Sequence, residues 1–108
     1  MEYLRKVFRY KVAVGIVNKR LRENISINGK PMTQEYLNND INDKYDIVWN
    51  TAREESLPNT TIQNIHLICD YFKIDISTYF QLIEEVSDRE IDNNIESKKK
   101  LTRLYSEF

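Results

Sequence analysis

The stretch MTQEYLNNDINDKYDIVWNTA, residues 32–52, decides how the middle of the chain folds. Thr33 opens it, and a threonine in that position can accept a hydrogen bond from a free amide in the first turn of a helix. The polar run NNDIND then interrupts the apolar pattern, and Asn42 can adopt the left-handed conformation that ends a helix. We therefore predict two short helices, about 33–42 and 43–54, joined by a tight polar turn.

The second of these helices starts with acidic residues. Asp43 can cap it, and Asp46 lies in its first turn, where the helix dipole favours an anion. Ile47, Val48 and Ala52 are predicted to face the interior. The acidic start opposes strong DNA affinity, because cations on phosphates supply most non-specific binding to DNA.

The composition of the whole chain predicts an all-α fold. The 108 residues suffice for one domain, and 41% are hydrophobic while 31% are charged. Two Gly and two Pro leave few residues for the turns of an all-β fold. The single Cys cannot form an internal disulfide, and no signal peptide or span of about 20 apolar residues is visible. We expect a cytoplasmic protein.

Charge is distributed unevenly along the chain. Residues 1–24 hold seven basic and two acidic residues, whereas residues 25–80 hold four basic and eight acidic ones. Residues 81–96 hold one basic and six acidic residues, and residues 97–108 hold four basic and one acidic residue. The basic N-terminal residues have two possible roles, contact with a DNA backbone or pairing with the acidic segment 84–96.

Apolar periodicity and turn signals predict the remaining elements. Apolar residues recur at helical spacing near the N-terminus, and Asn-Gly and Pro mark a loop after it. Thr60 or Thr61 can cap a later helix, and Ser77 can start the next. The predicted elements are a long helix over 3–24 with an apolar stripe of Leu4, Val7, Phe8, Val12, Ile16, Val17 and Leu21, a loop over 24–31, a helix from Ile62 to Phe72, a helix from Ser77, and a last helix over 88–106.

The order of these parts resembles the helix-turn-helix domain of the Cro and phage-repressor family, called XRE-like. MTQEYL matches the family's Thr-Gln-x-x-Leu, DKYDIVWNTAR stands where the recognition helix falls, and TIQNIHLICDYFKIDISTYF looks like the fourth and fifth helices. The family's frequent Glu after the recognition helix aligns with Ala52. The resemblance implies an all-α, five-helix repressor-like domain over 1–83, with a basic N-terminal extension and an extra C-terminal helix over 84–108.

The resemblance also implies a sequence-specific DNA-binding transcriptional regulator, a repressor that inserts its third helix into the major groove. The residues it places at double-stranded DNA are Gln34, Lys44, Tyr45, Asp46, Trp49, Asn50 and Arg53. Lys44 and Arg53 could equally be plain surface charges, and Trp49 could pack in the core. Asp46 could serve only as a helix cap.

The last helix carries an apolar stripe beyond the five-helix core, which indicates a homodimer formed through it and a palindromic site. The alternative is that this helix folds back on the first one. A second function remains open, a protein-interaction module that keeps the fold and binds a protein instead of DNA.

Catalytic and metal sites find little support in the sequence. His66 and Cys69 are too few ligands for a structural zinc site. The pair Glu54-Glu55 is predicted to lie in a polar loop with no reason for a shifted pKa. We expect no enzyme activity, no cofactor and no metal.

Overall fold

In the computed structural model, which describes all 108 residues, the chain forms seven helices and one small antiparallel hairpin. The all-α class is thus confirmed. None of the helices combines the length and the apolar character needed to cross a membrane. The elements are α1 (Glu2–Glu23), β1 (Ser26–Ile27), β2 (Lys30–Pro31), α2 (Gln34–Tyr45), α3 (Thr51–Glu54), α4 (Ile62–Phe72), α5 (Ile76–Glu84), α6 (Asp88–Ser97) and α7 (Lys99–Tyr105).

The predicted loop between α1 and α2 contains the hairpin. Ser26 pairs with Pro31 and Ile27 with Lys30. Both residues of the connecting turn have positive φ, 53° at Asn28 and 82° at Gly29. Asn-Gly adopts such a turn at low cost and matches the twist of the two strands. The predicted loop over 24–31 thus has its turn at Asn-Gly, and the two short strands on either side of it were not predicted.

Helix α1 is the element against which α5 and α6 pack. The centre of its predicted stripe is buried, including Phe8, Val12 and Val17. Leu4 and Val7, however, are exposed, because no other element covers this side of the first two turns. The predicted burial is correct for the middle of the stripe and wrong for its start.

Gly15 lets the backbone that follows α3 approach α1 closely. A Cβ placed on Gly15 would lie 3.0 Å from the carbonyl carbon and oxygen of Glu55 and 3.0 Å from the carbonyl oxygen of Ser56. Only a residue without a side chain fits this contact without displacing the backbone. The glycine inside a helix is explained by this packing.

The predicted last helix is divided into α6 and α7 at Lys98, which has extended dihedral angles. The apolar residues Ile91, Ile95 and Leu101 are all buried within the chain. The alternative that this segment folds back on α1 is therefore confirmed. The reason given for a homodimer, a surplus apolar stripe, was wrong, and the dimer itself stays a prediction.

The contacts between α1 and the C-terminal segment are both aromatic and ionic. The Phe8 ring centroid lies 5.6 Å from that of Tyr105 and 5.5 Å from that of Phe108. Arg9 pairs with Asp92 at 2.6 Å and with Asp88 at 3.2 Å, and Arg20 pairs with Glu90. The acidic segment 84–96 thus neutralises part of the basic first helix. We call this contact the α1–α7 seam. It also includes the adjoining part of α6 and the last residue, and it is defined by Phe8, Arg9, Asp92, Tyr105 and Phe108.

Candidate nucleic-acid interface

The start of α2 agrees with the sequence prediction. Thr33 has extended dihedral angles, and its Oγ1 accepts a hydrogen bond from the Tyr36 amide at 3.1 Å. Gln34 is the first helical residue, and its Nε2 donates to Oε1 of Glu55 at 3.0 Å. The side chain of Gln34 thus connects the beginning of α2 to the residue that follows α3.

The end of α2 differs from the prediction. The helix continues past Asn42 and ends at Tyr45, and Asp46 is the left-handed cap with φ 53° and ψ 45°. Asn42 contributes from within the helix, because its Oδ1 accepts from the Trp49 amide at 3.0 Å. The prediction of a turn at NNDIND was wrong, and Asp43 and Asp46 do not start a helix.

The predicted third helix over 43–54 is reduced to the four residues of α3. Its cap is Asn50, whose Oδ1 accepts from the Arg53 amide at 3.0 Å. Val48 was predicted to be buried, yet it is 95% exposed. Trp49 is buried, in agreement with the core alternative and against its predicted role at DNA, and its indole N–H has no acceptor within the chain.

Asn38 fixes the start of α3 against α2. Its Oδ1 accepts from the Thr51 amide at 2.8 Å and from the Thr51 hydroxyl at 2.6 Å. Thr51 is fully buried, so these hydrogen bonds are shielded from water. Together with the contact between Gln34 and Glu55, they attach α3 to α2 at both ends.

A buried ion pair attaches α1 to the end of α3. Arg22 donates from Nε to Oε2 of Glu55 at 2.6 Å and from Nη2 to Oε1 at 2.9 Å. Its Nη1 donates to the carbonyl oxygen of Met32 at 2.6 Å. Hydrogen bonding to Glu55 raises the pKa of Arg22 above its ordinary value. We call Arg22, Glu55, Gln34 and Met32 the Arg22 network.

Glu54 forms a second buried acidic site beside this network and is only 1% exposed. Its carboxylate accepts from Nη2 of Arg53 at 3.0 Å, from Nδ2 of Asn64 at 3.2 Å and from the Asn59 amide at 3.2 Å. Its carbonyl oxygen accepts from Nδ2 of Asn18 at 2.8 Å. Burial raises the pKa of the Glu54 carboxyl, although Arg53 and the Asn59 amide partly oppose the effect. The prediction that Glu54 lies in a polar loop with an ordinary pKa was wrong.

Apart from the buried Trp49, the predicted DNA-contacting residues fall into two groups. Gln34 lies at the start of α2, and Asn50 and Arg53 lie at α3, which the hydrogen bond from Gln34 to Glu55 joins to α2. Lys44, Tyr45 and Asp46 lie at the opposite end of α2. The structure therefore does not gather all of the predicted residues on one helix.

The second group is engaged in contacts within the chain. Nζ of Lys44 lies 3.5 Å from Oδ2 of Asp40 and 5.1 Å from the centroid of the Tyr71 ring. The hydroxyl of Tyr45 donates to Asp70 at 2.6 Å. Burial and this acidic neighbour raise the pKa of Tyr45 to about 12. Lys44 and Tyr45 are thus both engaged in contacts within the chain, while the Lys44 side chain remains 61% exposed.

Comparisons with protein-family models, with curated proteins and with solved structures found no match to this chain. The functional interpretation therefore depends on the arrangement of its own residues.

Proposed function

We propose that the chain is a sequence-specific, double-stranded-DNA-binding transcriptional regulator of the helix-turn-helix type, similar to the XRE-like family. The observation that carries the proposal is the attachment of α3 to α2 at both ends, through Asn38 and Thr51 and through Gln34 and Glu55. Two helices held rigidly in this way can present a fixed pattern of side chains to a DNA groove.

The side chains presented by this unit suit base edges. Val48 is almost fully exposed, and Asn50, Ala52 and Arg53 are exposed along α3. Asparagine can pair with adenine, arginine with guanine or phosphate, and an apolar side chain can contact the thymine methyl group. The proposed reading segment is therefore residues 48–53, shorter than the helix expected from the sequence.

The position of Glu55 also supports the resemblance. The family frequently has a Glu directly after the recognition helix, and the sequence alignment placed Ala52 there. In the structure, Glu55 is the residue that directly follows α3. Its role in the Arg22 network gives a physical reason for a Glu in this place, because it binds α1 and α2 to the end of α3.

Selection of genomic DNA fragments by the purified protein tests the proposal. At about 100 mM salt, where weak electrostatic binding is already reduced, we expect enrichment of one motif. A palindromic motif would support the predicted homodimer, since half-sites mirror protein symmetry. Recovery without any sequence preference would contradict the proposal.

The variant Ala52→Glu tests whether α3 itself contacts the DNA. The substitution adds a negative charge on the exposed face of α3 and keeps a good helix former, so folding should be unaffected. We expect affinity for the selected motif to fall by about tenfold or more, which corresponds to roughly 1.4 kcal/mol. The matched control is Asn93→Glu on the exposed face of α6. It makes the same charge change away from the reading segment and should leave affinity unchanged. Equal affinities of the two variants would mean that α3 does not read DNA.

A protein partner in place of DNA is the second candidate. Lys44 and Arg53 are the only cations between residues 33 and 55, and both pair with carboxylates, Asp40 and Glu54 respectively. Asp43 and Asp46 are exposed nearby. This charge balance favours a surface that binds a protein, and failure of the DNA selection with a well-folded sample would support it.

A further inference from the structure

The basic residues of the chain differ in whether they have acidic partners. On α1, Arg9, Arg20 and Arg22 all pair with carboxylates. In contrast, Lys19 on the same helix and the three consecutive lysines Lys98, Lys99 and Lys100 have no carboxylate within salt-bridge distance. The positive charge of this group is therefore available to a ligand.

The path of the chain brings these lysines together. Over residues 105–108 the chain runs past the start of α1 in the opposite direction, since Tyr105 packs on Phe8 and Nε of Arg5 donates to the carbonyl oxygen of Phe108 at 2.9 Å. Arg20 pairs with Glu90 of α6. The bend at Lys98, one helix earlier in the chain, is therefore displaced towards the C-terminal half of α1, where Lys19 is located.

The electrostatic surroundings of Lys98 agree with this placement. Partial burial and the nearby charge of Lys19 lower the pKa of Lys98, whereas the charge of Glu55 acts in the opposite direction. Lys98 therefore lies near both Lys19 and Glu55. Since Glu55 accepts hydrogen bonds from Gln34 and Arg22, Lys98, at one end of the lysine run, is on the side of the chain where α2 starts and α3 ends.

The positive charges at the start of α7 are unfavourable for the stability of that helix. The start of a helix favours anions, and α2 and α6 follow this rule with Glu35 and with Asp88 and Glu90 in their first turns. The first turn of α7 has no acidic residue, and Lys98 to Lys100 place three cations there. Such a concentration of cations costs folding free energy, yet it suits a polyanion.

We propose that Lys98, Lys99 and Lys100, together with Lys19, form a DNA-backbone contact flanking the α2–α3 reading unit. This inference rests on the proposed function, and it adds a sequence-independent phosphate site supplied by the C-terminal segment. The ammonium groups would neutralise phosphates of the same duplex that α3 reads. Arg22 already neutralises Glu55, so this nearby carboxylate does not repel the duplex.

The test is the salt dependence of DNA binding by the full chain. The triple variant Lys98→Gln, Lys99→Gln, Lys100→Gln is compared with the wild type on the selected motif and on a duplex of scrambled sequence. We expect the slope of log K against log salt concentration to become less steep by roughly two to three, since each neutralised phosphate contributes about 0.9. The ratio of the affinities for the two duplexes should stay unchanged, because phosphate contacts carry no sequence information.

A matched control removes three other positive charges. Lys11→Gln, Lys73→Asn and Arg89→Gln lie on α1, at the cap of α4 and on α6, and asparagine tolerates the positive φ of position 73. The control should keep the wild-type slope. Thermal unfolding of both variants checks that they are folded.

The possible failures can be separated. A wild-type protein that binds neither duplex at low salt would overturn the proposed function and this inference with it. A wild-type protein that binds, with a lysine variant of unchanged slope, would overturn this inference alone. An equal loss of slope in the lysine variant and the control would also overturn it, because the effect would then be one of net charge.

Discussion

Two contacts of the same chemistry hold α1 to distant parts of the chain, and their surroundings differ. In the Arg22 network, the side chains of Arg22 and Glu55 are 9% and 4% exposed. In the α1–α7 seam, those of Arg9 and Asp92 are 22% and 53% exposed. Both pairs have an N–O distance of 2.6 Å. The N–O distance alone would therefore predict that the two pairs contribute equally to stability.

Burial makes these two pairs unequal in free energy. Removing one partner of a buried pair leaves an uncompensated charge away from water, whereas water solvates the remaining partner of an exposed pair. The Arg22 network therefore determines whether α1, α2 and α3 keep their positions. The ion pairs of the α1–α7 seam instead set the orientation of helices that aromatic and aliphatic packing already holds.

The largest expected effect is that of Glu55→Gln. The substitution keeps the shape of the side chain but leaves the Arg22 guanidinium buried without a counter-ion. We expect the free energy of unfolding to fall by about 3–5 kcal/mol. Chemical denaturation followed by circular dichroism measures this change.

A double-mutant cycle of Arg22→Met and Glu55→Gln separates the charge effect from lost packing. The double variant should be less destabilised than the sum of the single variants, because no unpaired charge remains. Additive losses would show that the two side chains act independently, and they would remove the contrast with the α1–α7 seam.

A smaller effect is expected at Glu54, where the free energy of unfolding should depend on pH. Burial raises the pKa of Glu54 in the folded chain, so the folded state holds this proton more tightly than the unfolded state does. The contribution of Glu54 to stability is therefore present at pH values below its unfolded pKa, and it is lost as the pH rises through the folded pKa. Relative to Glu54→Gln, the wild type should lose stability over that interval.

Unfolding curves of wild type and Glu54→Gln, recorded side by side from acidic to neutral pH, check this sign. The other carboxylates are common to both proteins, so their titration cancels in the difference. A difference that is constant with pH would show that the hydrogen bonds from Arg53 and Asn59 cancel the effect of burial on the pKa, and one that grows in favour of the wild type would show that they outweigh it.

The smallest effect is expected for the exposed ion pair of Arg9 and Asp92. Asp92→Asn removes one of the two carboxylates that pair with Arg9 and leaves Asp88 in place. We expect a loss of about 0.2–1 kcal/mol that decreases further in high salt. A loss as large as that of Glu55→Gln would mean that burial does not distinguish the two contacts. The measurement is the same denaturation experiment at two salt concentrations.

Capping residues predicted the start of a helix correctly where the predicted cap was a threonine. Thr33 and Thr61 cap their helices as the sequence indicates. The turn after α2 was misplaced because Asn42, Asp43 and Asp46 can all end or begin a helix. The choice of Asp46 is made by tertiary contacts, namely the burial of Ile41 and the hydrogen bond from the Trp49 amide to Asn42.

The buried acids of the candidate site could not be predicted from their own neighbourhood in the sequence. Glu54 and Glu55 lie in a polar run, and their partners Asn18 and Arg22 are more than 30 positions away. One signal was present on α1, where Gly15, Asn18 and Arg22 recur at helical spacing. Such a line, with two polar side chains after a glycine, indicates a backbone in close contact and a buried hydrogen-bonding partner, but it does not identify that partner.

The α1–α7 seam has a consequence for the order of folding. The hydrogen bond from Arg5 to Phe108 joins residues 103 positions apart, so it closes almost the whole chain into a loop. Closing a long loop costs conformational entropy that only the contacts at its ends repay. Helices and the α2–α3 unit can form from nearer contacts, and we therefore expect the α1–α7 seam to close last and to open first. Amide protons in the first turns of α1 should accordingly exchange with solvent sooner than those of its central turns, which the interior covers on several sides.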